Sequence, residues 1–291
     1  MSTHPKVFLI TGCSSGLGYS LAKAAIAAGH KVIATSRNPS KTPDKVAEIT
    51  SLGGIWATLD VSSSSLESQF QDTILPLVHG KIDVLINNAG IAGGSVFEDF
   101  EIDLARAIFE TNVWGIMRLS RLLVPLMRAQ GGGTIVNISS TTAVYPMPTI
   151  AVYSASKGAV DAFSTALAAE VAHLNIRLLI ATPAGIRTPF VDNSISASKD
   201  ASLRPEYKDA ALESMLAMVH DPKSYKIDPD RAAIVIVQAV DGTGPFEDKG
   251  SDFLRVPLGE DTLGMLQGRI GELNTAVHNF SDVAKSVDFE T

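Results

Sequence analysis

Tyr153 and Lys157, four residues apart in Val152-Tyr153-Ser154-Ala155-Ser156-Lys157-Gly158, are the side chains best suited to chemistry in this 291-residue chain. On a helix that spacing puts both on one face. An ammonium beside a phenol favours the phenolate and draws the tyrosine pKa down from ~10. A phenol tuned in this way gives or takes a proton near neutral pH, as hydride transfer to or from a carbonyl requires. Ser140, thirteen residues before Tyr153, closes a predicted strand. Its hydroxyl can bond a substrate oxygen and hold developing alkoxide charge. Asn112 falls inside a predicted helix, where an amide is a poor choice on propensity alone, and it can hold a water leading from Lys157 to solvent. Singly, each has a plainer explanation. Tyr-x-x-x-Lys arises by chance at surfaces, and Ser139-Ser140 reads equally as a strand end. The conjunction, in the right order and each at the expected element, is what points to a site.

A second group suits an anion. Thr11-Gly12-Cys13-Ser14-Ser15-Gly16-Leu17-Gly18 joins a β-branched run to an Ala-rich helical one. Gly12 lets the chain turn sharply, Gly16 lets backbone approach a pyrophosphate, and Gly18 lets helix and strand pack closely. The helix N-terminus adds N–H groups and a positive dipole end. Ser14, Ser15 and Leu17 complete the expected cradle, and the alternative is an ordinary tight turn. Cys13 reads as a small loop residue, although a helix N-terminus can lower a thiol pKa. After the second strand comes Ser36-Arg37-Asn38 with no acid. A carboxylate there would bond a ribose 2′-OH, whereas arginine accepts a 2′-phosphate. Ser36 and Arg37 therefore predict NADP(H) over NAD(H), against a solvated loop charge as the plain reading of Arg37. Asp60-Val61 can meet the adenine, or Asp60 can cap the helix that Ser62 to Ser65 begin. Asn87-Asn88-Ala89-Gly90 can hold neighbouring loops and line the cofactor ribose, or form a simple turn.

These residues need a scaffold. Short, nearly all-apolar runs at 7–11, 31–36, 56–61, 82–86, 134–138 and 176–181 read as strands buried on both faces. Helical patterns lie between them at 17–28, 64–78, 101–129 and 151–174. That alternation predicts an α/β fold, a doubly wound, Rossmann-type parallel sheet with right-handed crossovers. Ligands in such sheets sit beyond the carboxyl ends of the strands, where these motifs fall. Further on come a helix at 234–240, a strand at 253–256 and a closing amphipathic helix over 261–285, continuous or broken. The pattern loosens over 191–230, which reads as a substrate-covering insertion with a Met-rich helical patch at 212–219. One domain spanning 1–291 is expected. Met215 and Met218 fit a hydrophobic substrate, and ordinary core packing explains them as well.

Composition closes off other classes. Apolar residues at 45% and charged residues at 19% exclude a disordered chain. A single cysteine leaves no internal disulfide and no multi-cysteine metal site, and no metal is expected. A net charge of −7 offers no basic face for nucleic acid. No apolar run reaches the ~20 residues of a membrane span. The polar start lacks secretory features, so a soluble cytoplasmic protein is expected.

With these residues in view, the chain resembles the short-chain dehydrogenase/reductase family over about residues 6–188. The resemblance rests on the glycine loop, Asn87-Asn88-Ala89-Gly90, Asn112, Ser140, Tyr153 and Lys157. It implies that Tyr153 is the acid/base, that Lys157 lowers its pKa and holds the nicotinamide ribose, that Ser140 positions the carbonyl, and that Asn112 keeps a relay water. Pro183-Ala184-Gly185-Ile186-Arg187-Thr188 keeps the family's length, with Ala184 where glycine is usual. Pro183, Ile186 and Thr188 are the implied contacts near the carboxamide. The Cys-Ser-Ser-Gly loop and the Ser36-Arg37 pair resemble the branch acting on steroids, retinoids and lipid-like ketones. The expectation is an NADP(H)-dependent carbonyl reductase or alcohol dehydrogenase. The resemblance also implies a homodimer or homotetramer through the helices at 101–129 and 151–174. Two rivals remain: a non-redox cofactor-bound cyclase or isomerase on the same fold, and an NADP(H)-sensing binding protein.

Overall fold

The computed structural model describes residues 5–190 and 203–289. Its frame is one seven-stranded sheet of β1 Val7–Ile10, β2 Lys31–Ser36, β3 Ile55–Thr58, β4 Val84–Asn87, β5 Gly133–Ile138, β6 Ile176–Pro183 and β7 Arg255–Leu258. All pairings are parallel, in the order β3-β2-β1-β4-β5-β6-β7. The strand order reverses between β1 and β4, which opens the crevice where such sheets bind ligands.

Strand alternation decides which layer each residue joins. Phe8 and Ile10 of β1 face α1 Gly16–Ala27, where Leu17, Leu21 and Ala25 share their cluster. Leu9, between them, faces the opposite layer with Leu119, Leu123 and Met127. The sheet is thus covered on both sides, as its apolar strands required.

Several helices depart from the expected pattern. The 101–129 rod is α4 Ile102–Phe109, a π-helical turn over Glu110–Trp114, and α5 Gly115–Ala129. The 64–78 stretch is only four residues of α-helix, α3 Leu66–Gln69, followed by a π turn Phe70–Ile74 and a 3-10 turn Leu75–Val78. α2 Pro43–Ser51 was not anticipated, because only Ile49 of it is buried and its pattern is charged. β3 ends at Thr58, so Asp60 and Val61 lie beyond it. α6 Ala151–Val171 carries the Tyr-Lys pair.

Of the 191–230 insertion, residues 191–202 lie outside the described residues. Past them, Arg204 pairs with Glu98 at 2.9 Å and Asp99 at 2.6 Å, and the Tyr207 hydroxyl donates to Glu98 at 2.9 Å. α7 Ala210–His220 follows, capped by Asp209, which accepts from the Ala211 and Leu212 N–H groups. Met215 is half-buried and Met218 exposed. α8 Pro229–Asp241 packs beside α1. The closing helix, α9 Glu260–Lys285, is continuous. Among the described residues no helix is long and apolar enough to cross a membrane.

Candidate active site

The glycine loop is held by the turn after β4. Thr11 Oγ1 accepts from the N–H groups of Asn88 and Ala89, both at 3.0 Å. Asn88 Nδ2 donates back to the carbonyls of Thr11 at 2.9 Å and Gly12 at 3.2 Å. A Cβ on Gly12, which has φ +73°, would stand 2.7 Å from Ala89 Cα, and one on Gly18 would stand 2.4 Å from both Gly12 O and Asn88 Nδ2. Neither position tolerates a side chain, so Asn88, Ala89 and the loop fold as one unit. The plain-turn reading of the Asn-Asn motif therefore fails. Asn87 points the other way, donating to Asn137 Oδ1 at 2.8 Å, and Asn137 donates to Ser164 on α6.

Ser15 is the N-cap of α1, and the first turn carries no acid. The helix thus offers a positive end with leading N–H groups for an anion. Lys45 of α2 donates to the Ser14 carbonyl at 3.0 Å and fixes the loop from outside. Cys13 is fully buried, and burial pushes its thiol up to about 12. Desolvation dominates here, so the thiolate is disfavoured.

At the end of β2, Ser36 is buried and its hydroxyl accepts from the Trp56 indole at 3.2 Å. Arg37 is exposed and forms no ion pair among the described residues. Asp60 Oδ1 accepts from the Ser62 N–H at 3.0 Å and hydroxyl at 2.7 Å. It closes its own turn rather than capping α3, whose N-cap is Ser65. Val61 is buried against Gly115, where a Cβ would meet its carbonyl at 2.9 Å. The residues present fit a dinucleotide: a cradle with no room for Cβ atoms, a helix N-terminus behind it, and a guanidinium beside the second strand.

The chemical group gathers where β5 meets α6. Ser140 lies two residues past β5 and caps the 3-10 turn Thr141–Ala143, with its hydroxyl accepting from the Thr142 N–H at 3.2 Å and hydroxyl at 3.0 Å. It is also bonded to the Tyr153 hydroxyl. Lys157, one turn along α6, lies 5.8 Å from the Tyr153 ring centre and donates to the Ile138 carbonyl at 2.7 Å. The pKa expectation needs correcting. Burial pushes Tyr153 up to about 12; its bond to Ser140 pulls the other way, and Tyr225 adds to the rise. Lys157 is itself brought down from 10.5 to about 8 by burial, against which Asp161 acts. The ammonium is buried and turned to a carbonyl, so it does not offset the phenol's desolvation.

Asn112 joins this group from the far side of the loop after β4. It sits in the π turn, fully buried, with Oδ1 accepting from the Ile91 N–H and Nδ2 donating to the Ile91 carbonyl, both at 2.9 Å. Nδ2 also donates to Ser156 Oγ at 3.1 Å. The amide's two donors are thus committed to joining the loop after β4 to α6. A Cβ on Gly90 would lie 3.2 Å from Asn112 Oδ1 and 3.8 Å from Lys157 Nζ, so Gly90, Asn112 and Lys157 converge.

After β6 the glycine is displaced rather than missing. A Cβ on Gly185 would stand 2.1 Å from Cδ1 of Tyr225, so Gly185 is the position that must be bare, and Ala184 is harmless. Ile186 bridges to Ile227, and the Arg187 N–H donates to the Ile227 carbonyl at 2.9 Å. Thr188 lies against Gly16, whose Cβ would meet it at 2.9 Å, so the segment from Pro183 to Thr188 closes onto the glycine loop.

Sequence reasoning missed Asp161. Its carboxylate takes a short bond from Ser139 Oγ and pairs with Arg255 Nη1 at 2.6 Å, and Arg255 also donates to Thr182 at 2.8 Å. One residue thus ties the ends of β5, β6 and β7 to α6 beside Ser140. The available signal was its place one turn beyond Lys157. Tyr225 carried no local signal.

The profile described as short chain dehydrogenase matches residues 6–199. Oxidoreductase claN of Passalora fulva is 41% identical over 184 residues, covering 63% of this chain and 83% of that protein. The 3-ketodihydrosphingosine reductase of Bacteroides thetaiotaomicron is 35% identical over 212 residues, covering 73% and 75%. A crystal structure of a short-chain dehydrogenase from Streptomyces avermitilis superposes with a TM-score of 0.83 at 32% identity, covering 98% of this chain and 100% of that one. The chain belongs to the short-chain dehydrogenase family and is an oxidoreductase of that family, which uses nicotinamide cofactors.

Proposed function

We propose that this chain is an NADP(H)-dependent carbonyl reductase or alcohol dehydrogenase for a small hydrophobic substrate. The observation that carries the reading is the Ser140–Tyr153 hydroxyl pair with the Lys157 ammonium one turn away on α6. With its pKa at about 12, Tyr153 is protonated at neutral pH. That is the form that donates a proton to a carbonyl oxygen. Tyr153 gives its proton to the carbonyl oxygen as alkoxide charge develops, and Ser140 holds the same oxygen. Lys157 would hold the nicotinamide ribose from one turn along α6. Asn112 keeps α6 and the loop after β4 in register.

The nicotinamide, when bound, supplies or takes up the hydride. Gly12, Ser14, Ser15, Gly16, Leu17 and Gly18 would cradle the pyrophosphate, and Asn88, Ala89 and Gly90 would line the ribose. Asp60 and Val61 are the residues for the adenine, and Pro183, Ile186 and Thr188 for the carboxamide. Arg37 supports NADP(H) because it is an exposed guanidinium beside β2 with no acid next to it. A ketone substrate is in keeping with the relative named for reducing 3-ketodihydrosphingosine. The reading extends to one domain over 1–291, a substrate lid over 191–230, and a cytoplasmic homodimer or homotetramer.

The test is NADPH absorbance during incubation with a panel of ketones and aldehydes, for wild type and Tyr153→Phe. Stoichiometric loss of NADPH, falling at least ~100-fold in the variant while cofactor binding persists, is the expected result. Product without NADPH consumption would point to an isomerase or cyclase. An activity or partner response untouched by Tyr153→Phe would point to a sensor.

A further inference from the structure

The second half of α9 is almost wholly exposed among the described residues. Every residue from Gly271 to Phe280 is exposed, yet Ile270 is 57%, Val277 71% and Phe280 60% exposed as large apolar side chains. Leu266, Ile270, Leu273, Val277, Phe280 and Ala284 follow one another in alternating steps of four and three, and the pattern continues to Val287. That 3.5-residue period is the repeat of two helices wound around each other; a lone helix packing on a sheet has no need of it.

Local propensity does not hold this helix. It contains Gly264, Gly268 and Gly271, each costing about 1 kcal/mol relative to alanine in a helix interior. A free helical end is marginal in water without a packed face. Its continuity calls for a partner.

We infer that the apolar stripe of α9 is the contact between two copies of this chain, which pair stripe to stripe as a short coiled coil. Three observations select this occupant. The flanking positions Gln267, Arg269, Asn274, Ala276, Ser281 and Val283 carry one charge, and Arg269 is already paired with Glu272 at 2.7 Å. Two identical stripes therefore meet without like-charge repulsion. The exposed apolar side chains of the stripe offer roughly 600 Å² per copy, so a self-complementary pairing that covers them approaches the ~1,200 Å² at the lower end of stable interfaces. A lipid surface is disfavoured, because residues 270–289 carry Glu272, Asp282 and Asp288 against Lys285 alone, and interfacial helices are rich in basic residues. The chain's own 191–202 segment has only Val191 and Ile195 as large apolar residues, too few to cover the stripe.

The experiment measures the mass of the full-length protein by sedimentation equilibrium, for wild type, Val277→Asp/Phe280→Asp and the outer-face control Thr275→Asp. These side chains are exposed, so the variants fold, and circular dichroism checks this. The expected result is halving of the assembly mass in the double variant with the control unchanged. A milder Val277→Ala/Phe280→Ala variant should weaken association at least tenfold. A monomeric wild type, an unchanged mass in the double variant, or stripe-dependent co-sedimentation with phosphatidylcholine vesicles would overturn the inference. None of these outcomes depends on the reaction assigned above.

Discussion

Lys157 holds a charge where the fold would be more stable without one, and that cost can be measured. Its ammonium is buried, and its pKa falls from 10.5 to about 8. Below pH 8 both folded and unfolded chains carry the proton, and the folded state bears the whole desolvation cost. As pH rises toward 10.5 the folded chain releases its proton first. The unfolded chain then binds more protons, so stability rises with pH. A drop from 10.5 to about 8, at 1.36 kcal/mol per pKa unit, amounts to about 3 kcal/mol. Lys157→Met abolishes this titration. At pH 7 the variant gains that amount, less the ~1–3 kcal/mol of leaving the Ile138 carbonyl without its donor. Between pH 8 and 10 the gap between variant and wild type should shift by most of 3 kcal/mol in favour of wild type. Cys13, raised from 9.0 to about 12, and Tyr153, raised from 10.0 to about 12, act in the opposite direction above pH 9 and 10. They do so in both proteins, so the difference isolates Lys157. Urea unfolding at half-unit pH steps from 7 to 10 gives the two curves. A difference that stays flat across that range would refute the argument.

Gly185→Ala forces its methyl against the Tyr225 ring and should cost about 1–3 kcal/mol in urea unfolding; it should add nothing once Tyr225 is alanine, and an unchanged midpoint would contradict it. Asp161→Asn strips Arg255 of its partner beside Ser140 and should cost about 3 kcal/mol. Because Asp161 raises the Lys157 pKa, the same variant should move the Lys157 titration to lower pH, and a titration that stays in place would show that the carboxylate acts on packing alone. Arg37→Asp should weaken NADPH by tenfold or more relative to NADH in fluorescence titration, and equal weakening of both would remove the 2′-phosphate argument.

The strands were legible because burial on both faces leaves them almost wholly apolar, as in Val7–Ile10 and Val84–Asn87. The glycine loop was legible because each bare position answers to a backbone clash. What stayed hidden depended on partners distant in sequence. α2 buries one side chain and so shows no apolar face. The bond from Ser139 to Asp161 spans 22 residues, and Arg255 comes from the last strand. Ala184 looked like a defect until Tyr225, 41 residues on, showed which position must be bare. The pKa of Tyr153 was misjudged because a charge four residues away says nothing of how deeply both groups lie.

The π turn at Glu110–Trp114 has a consequence for how this rod can change. One surplus residue offsets the winding of its two halves by about 100°. Ile108, before it, is seated against Val152, while Leu119 and Leu123, after it, are seated under the sheet. Excising a single residue would restore regular winding, but it would also wheel one half out of its socket. The π-helical segment thus works like a spline cut to one length: insertions and deletions there would turn one half out of register, even though the residues themselves look like plain helix.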